Sequence, residues 1–331
     1  YFRLFTNVTG GETRVSNVKV NRNSVDPTYE YADTAVRIPL LDPLQPGEEI
    51  TIQMDFVVDV ALEMGGNYGL FGYFEDILVL DEFYPAIAVY DDEGWNVEIP
   101  PETGDLTYYD ASYYVVTVTA PKDLVMVASG IEVDGKIEGS QQNRVFAAGP
   151  ARDFYIAASE RFVVVSEQVG GTTVNSYAFS NYAEGAELAL QFAIDSIQSF
   201  NNRFGTYPYT EFDVVSTPLQ ALGIEYPGIV GISLDLYDTN AEVLGLPAPI
   251  LLESVVAHEV AHQWFYNMVG NDQVDEPWLD EALAQYATYL YYVDTYGEAN
   301  AVGYRNSWED RWDRVEKAYR AWGHDIGPED T

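Results

Sequence analysis

The sequence predicts an α+β protein with two domains, an antiparallel β-sandwich-like domain over residues 1–170 and an α/β domain over residues 171–331. Its 331 residues are 47 % hydrophobic and 14 % aromatic, which suffices for a sizeable core and fits two domains better than one. Short segments rich in Val, Ile, Tyr and Thr alternate with turn signals in the first half, whereas longer segments with a helical period occupy the second half.

The first half is expected to form short antiparallel strands. Its β-prone segments are residues 49–60, 113–119, 124–128 and 161–166. Dipeptides that favour turns separate the segments: Pro46-Gly47, Gly65-Gly66, Pro100-Pro101, Asp134-Gly135 and Gly170-Gly171. We place the domain boundary at the last of these turns.

The second half changes to a helical period. Apolar residues recur at helical spacing over 184–204, and Gly205 follows as a helix stop. Further on, the sequence predicts short strands over 212–216 and 229–234, then helices over 250–268, 277–296 and 300–322.

Composition and charge exclude several classes of protein. The chain has 53 Asp and Glu against 16 Lys and Arg, a formal net charge of −37, so a phosphate backbone would be repelled and nucleic acid is excluded as a partner. The absence of Cys excludes disulfide frameworks, Cys-ligated zinc modules and thiol nucleophiles. No apolar run approaches the roughly 18 residues of a transmembrane segment.

The acidity is typical of a solvated, soluble surface, with a secreted or salt-exposed enzyme as the sharper alternative. The chain begins at Tyr1 and lacks a signal-peptide pattern, so we expect a piece of a longer precursor. Localisation is left undecided by the sequence, with secretion or the cell surface favoured over the cytoplasm.

A metal-ligand pattern lies in the predicted helix 250–268. Two of the three His in the chain are His258 and His262, and Glu259 directly follows the first. At positions i and i+4 of a helix, two imidazoles project from one face and reach one metal ion, whereas Glu259 reaches a water beside the metal. A catalytic zinc usually takes three protein ligands. Glu281, nineteen residues after His262 on the next helix, can return to the pair as the third.

The alternative interpretation is an ordinary His-Glu pair on a mostly apolar helix. The complete H-E-x-x-H pattern and the scarcity of other His favour a metal instead. The carboxylates of Glu259, Glu281, Asp280 and Glu253 would also repel one another without a cation among them.

This pattern, with eighteen residues between His262 and Glu281, resembles the M1 (gluzincin) aminopeptidase family. Trp264 and the segment RFGTYPY at 203–209 agree with the family. The resemblance implies a thermolysin-like zinc catalytic domain over 171–331. It further implies one Zn²⁺ per chain on His258, His262 and Glu281, with Glu259 as general base. The expected substrates are peptides with a free N-terminus.

Residues 222–226, with the sequence LGIEY, occupy the place of the family's G-x-M-E-N signature. The resemblance implies that Glu225 holds the α-amine of the substrate and that Gly223 lets the peptide backbone approach the strand edge. Three positions depart from the signature: Leu222, Ile224 and Tyr226. The alternative for Glu225 is a turn residue before Pro227-Gly228. The family also implies a second amine-binding acid in the β-rich domain, for which Glu75 is a weaker candidate.

In the family a Tyr stabilises the tetrahedral intermediate, roughly sixty residues beyond the zinc-binding Glu. Only 50 residues follow Glu281, and Tyr319 comes after 38, so we expect the catalytic domain to be incomplete at its C-terminus. A family member without this Tyr is the alternative. Other functions open on the same scaffold are an endopeptidase, an epoxide hydrolase and a non-catalytic scaffold or binding protein.

Overall fold

The structure, a computed structural model, describes residues 1–64, 68–100 and 107–321. Four residues of the predicted turns and helices lie outside these ranges: Gly65 and Gly66 of one turn, Pro101 of the next turn, and Trp322 at the end of the last helix.

The described residues form a mixed, sheet-rich α+β fold, which agrees with the predicted class. The strands before residue 160 are β1 (Phe2–Arg3), β2 (Glu12–Val20), β3 (Asn23–Ser24), β4 (Thr28–Glu30), β5 (Ala35–Arg37), β6 (Ile52–Asp59), β7 (Phe71–Phe74), β8 (Ile77–Leu80), β9 (Ala86–Ile87), β10 (Ser112–Pro121), β11 (Val125–Ala128), β12 (Ile131–Glu138), β13 (Gln141–Ala151) and β14 (Ile156–Ser159). The later strands are β15 (Phe162–Val169), β16 (Thr172–Phe179), β17 (Glu211–Thr217), β18 (Gly223–Tyr226), β19 (Ile229–Ser233), β20 (Glu242–Val243) and β21 (Leu246–Pro247). The α-helices are α1 (Ala183–Phe204), α2 (Ala248–Ala261), α3 (Trp278–Tyr296) and α4 (Glu298–Ala321), and 3₁₀ turns lie at Phe5–Asn7, Ser180–Tyr182 and Leu234–Tyr237.

The first half consists of antiparallel sheets that share apolar cores. Sheet β4-β5-β1-β9 and sheet β3-β2-β6 enclose one cluster, to which both contribute buried side chains: Phe2, Leu4, Val15, Val18, Val36 and Ile38. Sheets β10-β13-β12 and β11-β14-β8-β7 enclose a second cluster: Ala128, Phe146, Phe154 and Ile156. Strand β2 begins with alternating exposed and buried residues, as expected for a sheet with one buried face. Sheet β11-β14-β8-β7 is instead buried on both faces, because Val79, Val127 and Ala157 join a further cluster with residues of the second half.

The second half is built on a five-stranded mixed sheet with the order β15-β16-β17-β19-β18. Strands β16, β17 and β19 are parallel neighbours, and β18 pairs antiparallel with β19 at the edge. Helices α1, α2 and α3 share one buried cluster with this sheet. The predicted boundary at Gly170-Gly171 lies between β15 and β16, which pair in this sheet, and the division into two domains stays a prediction.

Most predicted helices match the structure to within two residues, but the helix predicted over 250–268 is wrong at its end. Helix α2 stops at Ala261, and the backbone continues first in tighter turns and then in wider ones, in which the N–H of Asn267 donates to the carbonyl of His262 (3.0 Å). The cause is tertiary. The Gln263 side-chain amide donates to the carbonyl of Tyr226 at the end of β18 and accepts the N–H of Gly228. The Trp264 indole N–H donates to the carbonyl of Gly205 (2.9 Å).

The turn predicted at Asp134-Gly135 is also wrong. Both residues lie inside β12, which continues to pair with β13 past them, and Gly135 faces Arg144. The register shifts between Glu132 and Asp134, which marks a β-bulge. A glycine inside a strand often accompanies a bulge, and here the cross-strand pairing outweighs the local turn preference.

The net charge generates a prediction about stability. Repulsion among like charges opposes the compact state, and salt screens it, so added NaCl should stabilise a chain of charge −37. Relief of ~1 kcal/mol raises the melting temperature of a chain of 331 residues by about 1–2 °C, because the entropy of unfolding grows with chain length. We expect at least that rise between about 0.05 M and about 1 M NaCl, followed by circular dichroism. KCl should act equally if screening is the cause, and a flat or falling melting temperature would contradict the prediction.

Candidate active site

Three elements bring the predicted site residues together. The last turn of α2 carries His258 and Glu259, and His262 caps that helix with helical backbone angles. Glu281 lies in the first turn of α3, and the edge strand β18 carries Gly223 and Glu225. The helical spacing of the two His is therefore retained although α2 is shorter than predicted.

The His pair and Glu281 converge on one point. The Nε2 atoms of His258 and His262 are 3.1 Å apart, and Oε2 of Glu281 is 3.2 Å from Nε2 of His258. One donor atom from each of the three residues lies within 4.8 Å of the other two. The His262 side chain is fully buried, whereas 46 % of the Glu281 side chain remains accessible.

The surroundings set the protonation of these ligand atoms. Nδ1 of His262 lies 3.0 Å from the carbonyl oxygen of Phe265, so this nitrogen carries the proton and donates it, and Nε2 keeps its lone pair for the cluster. Burial lowers the pKa of His258 and favours its neutral imidazole. Burial raises the pKa of Glu281, but the hydrogen bond with His258 and the electrostatic influence of the two imidazoles outweigh it and lower this pKa to about 2.

These three residues fit a zinc ion. Two neutral imidazoles and one carboxylate form a donor set that catalytic zinc accepts, with a fourth position left open. Ligands on a tetrahedral zinc at ordinary bond lengths are about 3.3 Å apart, and the separations of 3.1 Å and 3.2 Å are close to that value. A second group, Glu225, His262 and Asp280, also lies within 4.8 Å, but it faces Nδ1 of His262, which carries a proton.

Glu259 and Gly223 are in direct contact. Glu259 is buried on α2, and a Cβ atom added to Gly223 would lie 2.7 Å from both Cγ and Cδ of Glu259. Such an approach is closer than van der Waals contact allows. Only glycine at position 223 leaves Glu259 in place. The glycine was expected to let a substrate backbone approach, and the structure adds this second reason for it.

Glu225 lies buried on the same edge strand. Its Oε1 accepts a hydrogen bond of 3.2 Å from the side-chain amide of Gln273. Burial, followed by the charges of Glu281 and Asp280, raises the pKa of Glu225 well above its ordinary value. A cation bound beside this carboxyl would favour its charged form. Nδ1 of His262 lies 3.9 Å from Oε1 of Glu225, and among the described residues neither a Lys nor an Arg pairs with this carboxyl.

A group of buried acids from the first half lies near Glu225 and was not predicted. Asp81, Glu82 and Asp153 are almost fully buried, and burial is the largest cause of their raised pKa values. The charge of Glu225 contributes to the raised pKa of Asp153. Glu75, the candidate second amine-binding acid, is instead exposed between β7 and β8. The sequence signal for Asp81 and Glu82 is their position directly after the apolar strand β8, whereas Asp153 has none.

A cleft of about 860 Å³ opens beside His258 and Glu259. Its apolar wall comes from α2 and from the loop with β20 and β21, and the aromatic residues Tyr292, Tyr304 and Trp308 close the other side. Gly223 lines the cleft but Glu225 does not. The candidate amine-binding residue Glu225 therefore lies beside the His pair but outside the cleft.

Comparison with known proteins finds a family model that matches most of the second half. Residues 188–326 match the family model for the peptidase family M1 domain. Aminopeptidase N from Acetobacter pasteurianus is 32 % identical over 184 residues, which are 52 % of this chain and 50 % of that protein. Aminopeptidase 2 from Candida albicans is 23 % identical over 304 residues, 86 % of this chain and 31 % of that protein. The chain thus spans half or less of these relatives.

A solved structure shows the same fold over a longer part of the chain. The M1 zinc metallopeptidase from Deinococcus radiodurans superposes with a TM-score of 0.64 at 20 % identity, covering 94 % of this chain and 66 % of that one. This similarity concerns the fold alone. Together with the family match it confirms the resemblance predicted from the H-E-x-x-H pattern and Glu281. Among the described residues, none of the helices combines the length and apolarity needed to cross a membrane.

The contact between Gly223 and Glu259 generates a double-mutant prediction. Gly223→Ala should destabilise the chain by ~1–3 kcal/mol, because overpacking at a buried position forces neighbouring atoms to move. In a Glu259→Ala background the same change should cost less than ~0.5 kcal/mol, because the obstructing carboxyl is gone. Urea unfolding of the four chains measures the coupling. Equal costs in both backgrounds would show that the two side chains do not compete for space.

Proposed function

We propose that this chain, whose residues 188–326 belong to peptidase family M1, is a zinc-dependent aminopeptidase that removes N-terminal residues from peptides. The observation that carries the proposal is the convergence of His258, His262 and Glu281 next to the buried Glu259. In this proposal residues 171–331 form the catalytic domain, and the β-rich residues 1–170 form a separate domain that lines the amine side of the site.

His258, His262 and Glu281 would hold one Zn²⁺ per chain, since they form a single donor set with two imidazole nitrogens and one carboxylate oxygen. Bound zinc supplies Lewis-acid chemistry that polarises a carbonyl and lowers the pKa of water. The hydrogen bond from Nδ1 of His262 to the Phe265 carbonyl orients that ring toward the metal position.

Glu259 is the proposed general base. It follows His258 on α2 and is held against Gly223, so its carboxylate lies beside the ligands without belonging to the convergent set. In peptide hydrolysis Glu259 would accept a proton from the attacking water and then deliver it to the nitrogen of the leaving amine. A scaffold or binding protein has no need for such a base, which favours an enzyme over that alternative.

Glu225 is the proposed anchor for the substrate's α-ammonium. A buried carboxyl with a raised pKa gains a cationic partner when a free amine binds, and this pairing requires an unblocked N-terminus. That requirement favours an aminopeptidase over an endopeptidase or an epoxide hydrolase. The Deinococcus radiodurans M1 zinc metallopeptidase has been solved with a Tyr-Ser-Ala substrate, which supports peptides as the substrate class. The cleft beside Glu259 would then receive the part of the peptide beyond the cleaved bond.

One prediction of this proposal distinguishes the zinc ligands from the general base. His262→Ala should lose zinc and activity together, because two ligands remain where three are needed. Glu259→Gln should keep one zinc per chain but lose hydrolysis by roughly 10²–10⁴-fold, the usual contribution of a general base. Zinc is counted by elemental analysis of the purified variants, and hydrolysis is followed on an aminoacyl substrate.

Glu253→Gln is the matched control, because Glu253 lies on the same helix and bonds Tyr291 and Tyr296 instead of the His pair. It should retain both zinc and activity. Full zinc occupancy in His262→Ala would overturn the ligand assignment, and loss of zinc in Glu259→Gln would make Glu259 a ligand or a structural residue.

The next prediction concerns amine recognition. Glu225→Ala should reduce kcat/KM on free-amine substrates by roughly 10² or more, because the substrate ammonium is desolvated without a partner. Residual cleavage of N-acetylated substrates should stay the same, since they do not use the carboxylate. Zinc content serves as the control for an intact site. Equal losses on free and acetylated substrates would contradict the assignment of Glu225.

A further inference from the structure

We propose that Gln273 is a positioning residue that orients the Glu225 carboxylate for the substrate's α-amine. The inference rests on the proposed role of Glu225 and extends it to a residue in the loop between α2 and α3. Gln273 touches neither the His pair nor Glu281 through a hydrogen bond among the described residues.

The geometry uses both hydrogens of one amide. The Gln273 side chain is 3 % exposed, and its Nε2 donates to Oε1 of Glu225 at 3.2 Å and to Oδ2 of Asp280 at 2.8 Å. A primary amide has two N–H donors, so both are engaged by carboxylates. Gln273 therefore bridges the edge strand β18 and the first turn of α3.

The bridge lies between two buried acids. Glu225 is 8 % exposed and Asp280 is 1 % exposed, and one carboxylate oxygen of each lies within 4.8 Å of the other. Two carboxylates at this distance in a buried site repel each other, and a donor between them offsets the repulsion. Without that donor, the carboxylate that is less firmly held would turn away.

Glu225 is the less firmly held of the two. Gln273 is the one other residue whose side chain hydrogen-bonds the Glu225 carboxyl within the described ranges. Asp280 receives a second bond, because Nδ2 of Asn271 donates to its Oδ1 at 3.1 Å. Loss of the Gln273 amide would thus leave the Glu225 carboxyl without a side-chain donor, while Asp280 keeps that of Asn271.

The hydrogen bond from Gln273 also gives the two oxygens of the Glu225 carboxylate different partners. Oε1 is occupied by Gln273, which leaves Oε2 for the ammonium of a substrate. An amide suits this position because it is neutral and donates twice, whereas Glu or Asp would add a third negative group beside two existing ones.

Binding of a free amine tests the proposal without catalysis. Isothermal titration with L-leucinamide, and with N-acetyl-L-leucinamide as the blocked probe, is carried out on the wild-type chain and on Gln273→Met, which keeps the length of the side chain but removes both donors. We expect Kd for L-leucinamide to rise about tenfold or more, as for a lost hydrogen bond to a charged group. Asn271→Leu is the matched control, since it removes a bond to Asp280 and leaves that of Glu225. It should change Kd less than about threefold.

The Glu225→Ala background shows whether Gln273 acts through Glu225. There Gln273→Met should change Kd, and KM in hydrolysis, less than about twofold, because the group that it positions is gone. Zinc content should equal that of the wild-type chain in every variant. Gln273→Leu replaces the Met variant if the latter does not fold.

The outcomes separate the two proposals. An equal loss from Gln273→Met in both backgrounds, or no loss in the wild-type background while Glu225→Ala weakens binding, would overturn the positioning role alone. If Glu225→Ala leaves L-leucinamide binding unchanged, the amine-binding role of Glu225 fails, and the positioning role fails with it.

Discussion

The site depends on the hydrogen bonds of one buried amide, that of Gln263. Its oxygen accepts the N–H of Gly228 at 2.8 Å and its nitrogen donates to the carbonyl of Tyr226 at 3.0 Å, so it joins the end of α2 to the turn after β18. Gln263 directly follows His262, and Tyr226 directly follows Glu225. One amide therefore fixes the distance between a proposed metal ligand and the proposed amine anchor. Because the amide is fully buried, breaking either bond would leave backbone groups without partners.

Buried acidic residues surround the connection that Gln263 makes between α2 and β18. Glu225, Asp280, Asp81 and Asp153 are all buried, and the pKa values of three of them, Glu225, Asp81 and Asp153, are raised first of all by burial. A group of acids in so dry a place is stable as neutral acids or beside cations. A metal ion and a substrate ammonium are two such cations, and the proposed function supplies both. The charge on the surface acts separately, because it affects solubility and the salt dependence of stability. The preference for secretion or the cell surface rests on this charge and stays a prediction.

Local patterns predicted the parts of the fold that depend on local physics. The i, i+4 spacing of His258 and His262 and the helix start near Glu281 follow from helical geometry, and the structure brings these residues together. The end of α2 could not be predicted from local sequence, because it depends on hydrogen bonds of Gln263 and Trp264 with the backbone of residues distant in the chain. The Asp134-Gly135 bulge is likewise decided by pairing with β13. Gln273 and Asp153 carry no motif, and only the packing of separate elements shows their roles.

The edge strand β18 relates the two proposed carboxylates to each other. Side chains alternate along a strand, so Gly223 and Glu225 point to the same face, with about 6.6 Å of strand rise between them. At Gly223 that face is filled by the Glu259 side chain from α2, and two residues further the strand supplies its own carboxylate. The strand position that faces the proposed base and the position that carries the proposed amine anchor are thus about two extended residues apart. In the proposed function, an N-terminus held at Glu225 would bring a peptide bond close to the amino terminus toward Glu259, as an exopeptidase requires.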